Sequence, residues 1–306
     1  MTGPRSPAEP SKTEPDICAE GCPTLDYPIS NLWNEESNRG QRVRRLSIFI
    51  GWQLWKRTVR RPITVTLFNG KQFRAYPDCQ VSSGVFYTRI PSSRNILFLR
   101  KHVSGGTLID VGANVGSVSQ SLADRMEDAI LFEPNPVAAA RARDNLARNQ
   151  LGFKVYELAL SDTSGEIGFE CHSAVDGVAH IVTKAQGAPS ATRMVSCVTF
   201  DEFLRQHGDP RFPISLVKID VEGHENSVPR GMQQFLARQR PLVMFEYLQR
   251  TNLEETLRFF AEVGYQVFEL GTSGPVAVSK RVEPLQDLFA FPLERAPAMG
   301  VARATS

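Results

Sequence analysis

From residue 107 to residue 291 the chain alternates between short apolar runs and longer segments at helical spacing. Runs at 107–111, 129–133, 154–159, 214–220 and 242–246 are too short for helices and are bounded by Gly, Pro or polar residues, so they predict buried parallel strands. Between and after them, 117–126, 136–149, 229–239 and 253–263 read as helices. That alternation predicts an α/β fold built on an open, doubly wound sheet. Residues 166–171 and 179–183, with Val195–Val198, read as a β excursion, 184–193 as a loop, and a short helix starts at Thr199 or Asp201. Upstream, 63–68 and 71–76 alternate around Asn69-Gly70, a dipeptide that accepts positive φ, so they predict a hairpin outside the main sheet. No internal repeat is visible.

Composition changes this picture only at the ends. Residues 1–40 are polar and Pro-rich without a periodic apolar face, and read as a tail. Residues 41–100 read as a helix-and-hairpin extension, 101–292 as the main domain and 293–306 as a second tail. Net charge is +2, which gives no whole-chain case for nucleic-acid binding. The five cysteines are too scattered for a disulfide framework, and Cys18 with Cys22 is half a metal site that no Cys or His cluster completes. These features, with no signal-peptide core and no membrane-length apolar run, predict a cytoplasmic protein.

The segment 41–61 carries Arg42, Arg44, Arg45, Lys56, Arg57, Arg60 and Arg61 around an apolar run. Two readings fit. Ile48, Phe49, Trp52 and Trp55 pack on the core or on a second chain of an oligomer. Alternatively, the helix lies at an interface with lipid or an amphiphilic substrate. Phe86, Tyr87 and Ile90 just before the first sheet strand fit a pocket wall or plain core packing.

Candidate chemistry concentrates at the carboxyl ends of the predicted strands, where ligands bind in open α/β sheets. The first strand ends at Asp110, and Gly112 and Gly116 follow. The second ends at Glu133, about twenty positions after that turn, the spacing of a ribose-binding carboxylate. The glycine pattern is not G-x-G-x-x-G. Asp110 would repel a pyrophosphate but suits a cation, and S-adenosylmethionine offers a sulfonium, an ammonium and no phosphate. Asn114 can bond the amino-acid end of that cofactor. Ser161 and Asp162 end the third strand, and Asp162 can accept from an adenine amine or form an Asx-turn. The densest polar cluster, Asp220-Val-Glu-Gly-His-Glu225, contains Glu222, His224 and Glu225, and Glu246 ends the fifth strand. Either His224 or Asp220 serves as a general base, or Asp220, Glu222 or Glu225, and Glu246 ligate a divalent ion. Lys218, inside its strand, reads as structural.

The Asp-x-Gly-x-Asn-x-Gly turn resembles motif I of class I methyltransferases. Farther on come Val198-Thr-Phe-Asp-Glu-Phe-Leu204, Leu216-Val-Lys-Ile-Asp-Val-Glu-Gly-His-Glu225, Arg230-Gly231 and Arg240-Pro-Leu-Val-Met-Phe-Glu246. In that order they resemble the FkbM family of S-adenosylmethionine-dependent methyltransferases over roughly 105–250. Pro229 departs from the family pattern and shifts a helix start. The resemblance implies a Rossmann-like fold whose last two strands, 265–270 and 287–291, form an antiparallel edge. It implies methylation of a hydroxyl on a sugar, polyketide or other secondary metabolite or glycoconjugate. An N-methyltransferase for a peptide or amino sugar, and a non-catalytic cofactor-binding relative, are the alternatives.

Overall fold

The computed structural model describes residues 42–170, 180–182, 192–221, 223–248, 251–272, 274–278, 282–283 and 286–296. The chain opens with α1 (Arg42–Thr58), the hairpin β1 (Ile63–Thr66) and β2 (Gln72–Ala75), and two helices, α2 (Gln80–Thr88) and α3 (Ser93–His102). The sheet domain follows with β3 (Thr107–Val111), α4 (Ser117–Leu122), β4 (Asp128–Phe132), α5 (Pro136–Ala147) and β5 (Lys154–Tyr156). Next come β6 (Ala159–Leu160), β7 (Gly165–Glu170), β8 (His180–Val182), β9 (Thr192–Val198), α6 (Phe200–His207) and β10 (Ile214–Ile219). The last elements are α7 (Ser227–Arg230), α8 (Gln233–Gln239), β11 (Leu242–Tyr247), α9 (Leu253–Glu262), β12 (Tyr265–Gly271), β13 (Gly274–Ala277) and β14 (Gln286–Pro292).

The main sheet has eight strands in the order β13-β12-β14-β11-β10-β3-β4-β5. From β11 to β5 all pairs are parallel, while β14, β12 and β13 run antiparallel. The chain winds outward from β3 through β4 to β5, then returns to β10 on the other side of β3. The carboxyl ends of β3 and β10 therefore flank the switch point where α/β sheets bind ligands. All five residues of β3 are buried, as expected of a central strand covered on both faces. Ile109 and Val111 face a core with Phe200, Phe203, Phe235 and Phe260. Leu108 faces the opposite core, with Leu99, Leu131, Met244 and Phe289.

Several boundaries depart from the sequence expectation. The run 154–159 is not one strand. β5 stops at Tyr156, and Ala159–Leu160 pairs instead with Cys197–Val198 in a second sheet, β6-β9-β7-β8. The buried Ala159 and Cys197 side chains form a small separate core there, which is what the β excursion closes on. The expected helix 117–126 ends at Leu122, and 229–239 is two pieces, α7 and α8. Helices α2 and α3 and strand β13 were not foreseen. The hairpin lies outside the main sheet as expected. It is stitched on by Asn145, whose side chain accepts from Arg74 N at 2.7 Å and donates to Val115 O at 3.0 Å.

Candidate functional site

The turn after β3 is built by backbone geometry. Gly112 N and Ala113 N both donate to Phe132 O, at 2.9 and 3.1 Å. Gly112 has φ 71°, and a Cβ there would come 1.8 Å from Asp220 O. Only glycine allows β3 and the end of β10 to close this tightly. Asn114 is left-handed at φ 49°, and Gly116 at φ 77°. Gly116 opens α4 without a capping side chain.

Asp110 lies beneath this turn, 0% exposed. Ser119 Oγ donates to its Oδ2 at 2.6 Å, and Lys218 Nζ stands 3.4 Å from its Oδ1. Register explains the pairing, because Lys218 sits directly across from Asp110. The buried Lys218 ammonium also donates to Gly112 O at 2.7 Å and lies 3.4 Å from Asp220 Oδ2. Burial alone would pull its pKa down, but the charges of Asp220 and Asp110 outweigh that and hold it above the usual lysine value. Lys218 thus locks the glycine turn to two carboxylates, the structural role its place inside a strand suggested. Asp110 supports the turn from below and does not line a cleft.

Glu133, buried at the end of β4, accepts from Asn114 N at 2.8 Å with one oxygen and from Asn135 N at 2.9 Å with the other. Burial pushes its carboxyl up to about 7, against the pull of these two N–H groups. Each oxygen keeps a further lone pair. Asn135 itself caps α5, accepting from Val137 N at 3.0 Å.

The polar cluster after β10 separates into two places. Asp220 stays at the strand end with its side chain 42% exposed, beside Lys218. His224 turns the other way. Its Nε2 is 2.8 Å from Ser161 Oγ, and that hydroxyl donates to Asp162 Oδ1 at 3.1 Å. Burial holds the imidazole below its ordinary value, with Asp162 opposing. His224 is therefore joined to the Ser161–Asp162 turn. Glu225 is buried, accepting from Gly223 N at 2.7 Å and from Thr251 Oγ1 at 3.4 Å, so its carboxylate closes the loop. Glu222 lies outside the described residues. Among the described residues no group of three Asp, Glu, His or Cys is arranged to hold a metal ion. The cation between Asp110 and Asp220 is the Lys218 ammonium.

One carboxylate was missed. Phe245, the residue before Glu246, pairs with Ile219, the residue before Asp220, and Glu246 pairs in turn with Asp287 on β14. Asp220, Glu246 and Asp287 thus form a row across three strands at the cleft end of the sheet. Asn95 of α3 donates to Asp287 Oδ2. The half-buried Asp287 carboxyl is pushed up to about 7, first by loss of water and then by the Asp220 charge, with Lys218 pulling it down. The N-terminal extension closes over the site from the other side. Cys79, the cap of α2, places Sγ 3.6 Å from Asn114 Oδ1.

Known proteins similar to this chain are methyltransferases. The model of the methyltransferase FkbM domain matches residues 110–267. The hexuronic acid methyltransferase AglP of Haloferax volcanii is 29% identical over 140 residues, a match that covers 46% of this chain and 55% of that protein. The chain thus matches about half the length of that curated relative. Similar solved structures include a methyltransferase FkbM from Methylobacillus flagellatus, at 12% identity and TM-score 0.43, covering 81% of this chain and 60% of that one. Another is the tRNA (uracil-54, C5)-methyltransferase of Pyrococcus abyssi in complex with S-adenosyl-L-homocysteine. It has 16% identity and TM-score 0.41, covering 75% of this chain and 43% of that one.

Proposed function

The chain belongs to the FkbM family of methyltransferases, and from that premise we propose that it transfers a methyl group from S-adenosylmethionine to a hydroxyl oxygen of a sugar-like small molecule. The observation that carries the reading is the carboxylate row Asp220, Glu246 and Asp287 at the switch-point end of the sheet. The cofactor would be held by Glu133 at its ribose hydroxyls, by Asn114 at its amino-acid end and by the Ser161–Asp162 turn at its adenine. When bound it supplies a methyl group already activated by the sulfonium. The protein's part is to orient the acceptor, exclude water and take up the hydroxyl proton.

Asp287 is the base this arrangement favours. Asp220 is already engaged as the partner of the Lys218 ammonium. Asp287 has the neutral Asn95 amide as its hydrogen-bond donor, and a carboxyl pushed up to about 7 suits proton transfer near neutral pH. Lys218, Asp220 and Glu246 are the charged groups around it on the neighbouring strands. His224, bonded to Ser161, is better suited to shaping the cofactor pocket.

The name of the Haloferax relative supports a hexuronic acid as the first acceptor to try. The test is transfer of label from methyl-labelled S-adenosylmethionine to alkyl hexuronides. Expected is an alkali-stable methyl ether, with Asp287→Asn slowing turnover about a hundredfold or more. An alkali-labile methyl ester, formed equally well by Asp287→Asn, would contradict the hydroxyl reading, because a carboxylate acceptor needs no base. Label on nitrogen of an amino sugar would favour N-methylation instead.

A further inference from the structure

We propose that α1 docks on the surface of an anionic lipid bilayer through its outward face. The inference stands on α1 alone and does not depend on the chemistry of the strand-end site.

The two faces of α1 differ sharply. The inner face packs on the core. Trp52 is buried, stacks on Phe86 at 4.2 Å and donates from Nε1 to Ser83 Oγ at 3.0 Å. Gln53 donates to Tyr87 Oη at 3.0 Å. Ile48, Phe49 and Trp55 pack against the same core, so the packing reading of these four residues holds. The outer face carries Leu46, Ile50 and Leu54, which are 36%, 51% and 57% exposed. Their spacing of four residues keeps them on one side of the helix. Among the described side chains, Ser47, Gly51 and Thr58 flank that stripe and are small enough not to hold it away from a flat surface, and Arg57 continues it past Leu54. Arg44 and Arg57 are exposed toward the two ends, and Arg60 and Arg61 follow the helix, also exposed.

Charge selects the occupant. Along the chain, every charged residue from Ser37 to Pro77 is Arg or Lys, and the flanking acids are Glu36 and Asp78. A second copy of this chain would bring the same positive face against itself in a symmetric contact, which like charges oppose. An anionic headgroup layer complements both the arginines and the apolar stripe. Helices that lie in the interface plane have this makeup, with apolar residues reaching below the headgroups and Lys or Arg at their level. Among the described residues no helix is long and apolar enough to cross a membrane, so the contact is peripheral. Because α2 links α1 to the Asn114 turn through Cys79, a docked α1 would hold the strand-end site close to the headgroups.

The test is co-sedimentation of the full chain with vesicles. One set is phosphatidylcholine, and the other contains roughly one third phosphatidylglycerol. Expected is binding to the anionic set alone, weakened at least tenfold by added salt. The Leu46→Ser, Ile50→Ser, Leu54→Ser triple variant should bind at least tenfold more weakly, with unchanged melting temperature and S-adenosylmethionine affinity. These positions are exposed, so the variant should fold normally. Sedimentation velocity runs alongside. Absence of binding to anionic vesicles would overturn the proposal, as would triple-variant binding equal to wild type. A dimer in solution that the triple variant abolishes would also overturn it, by assigning the stripe to a second copy.

Discussion

Lys218 is the residue on which the site's electrostatics turn. It neutralises Asp110, which has no exposure, and steadies Asp220, which does. Lys218→Met should leave Asp110 buried and uncompensated, lowering stability by about 3–5 kcal/mol in a denaturant titration. Adding Asp110→Asn should restore part of that loss, a coupling that independent sites would not show. Glu133 makes a different prediction. Its folded-state carboxyl is raised from 4.5 to about 7, so its share of stability is complete below about pH 4.5 and lost as pH rises through about 7. Ribose hydroxyl donors favour the ionised form. Cofactor binding should therefore weaken as pH falls below about 7 and release protons there, measurable by calorimetry in buffers of different ionisation heat. Glu133→Gln should flatten that dependence. Asp110, Glu133 and Asp220 were legible because each ends an apolar run, two of them beside glycines. Asp287 was not, since its strand runs antiparallel and meets the cleft with its first residues. The signal was the acid just before Leu288–Phe291. Asn95 gave no signal, because only the packing of α3 brings it there.

Among the elements, the central strands were readable because burial on both faces leaves uninterrupted apolar runs. The misread ones are those whose partners lie far along the chain. Ala159–Leu160 continues the β5 run in sequence but leaves the sheet to pair with β9. Helices α2 and α3 carry Ser, Arg and His among their apolar residues and show no clean period. Between α7 and α8 the chain makes a close backbone contact. A Cβ on Gly231 would come 1.8 Å from Ser161 O, so only glycine lets the chain between α7 and α8 pass this close to the β6 turn. That contact explains why a glycine follows Arg230. Gly231→Ala should push the Ser161 turn away from His224, lowering the melting temperature and cofactor affinity together. Ordinary helical alanine would stabilise by up to ~1 kcal/mol instead, so the sign of the change decides the point.

At the scale of the whole molecule, the sheet places three carboxylates, one lysine and a glycine turn at one end of its central strands, and the N-terminal extension reaches them through Cys79 and Asn95. The FkbM domain match begins at Asp110, so α1, the hairpin, α2 and α3 lie before it. They supply Cys79 and Asn95 to the site from outside the matched segment. The succession of strands and helices along the main domain was legible in the alternation of runs, and the antiparallel pairing of its last strands in the family motifs. How the extension folds over the sheet was not, because it depends on side-chain contacts such as Asn145 to Arg74 that no local pattern announces. On the function proposed, this end of the sheet holds S-adenosylmethionine through Glu133 while the carboxylate row acts on the acceptor. Calorimetric titration of S-adenosylmethionine into wild type, Glu133→Ala and Asp287→Asn tests it most directly. Glu133→Ala should lose about 1–3 kcal/mol of binding, and Asp287→Asn should bind like wild type. Wild-type affinity in Glu133→Ala, or no binding to the wild-type protein, would contradict it.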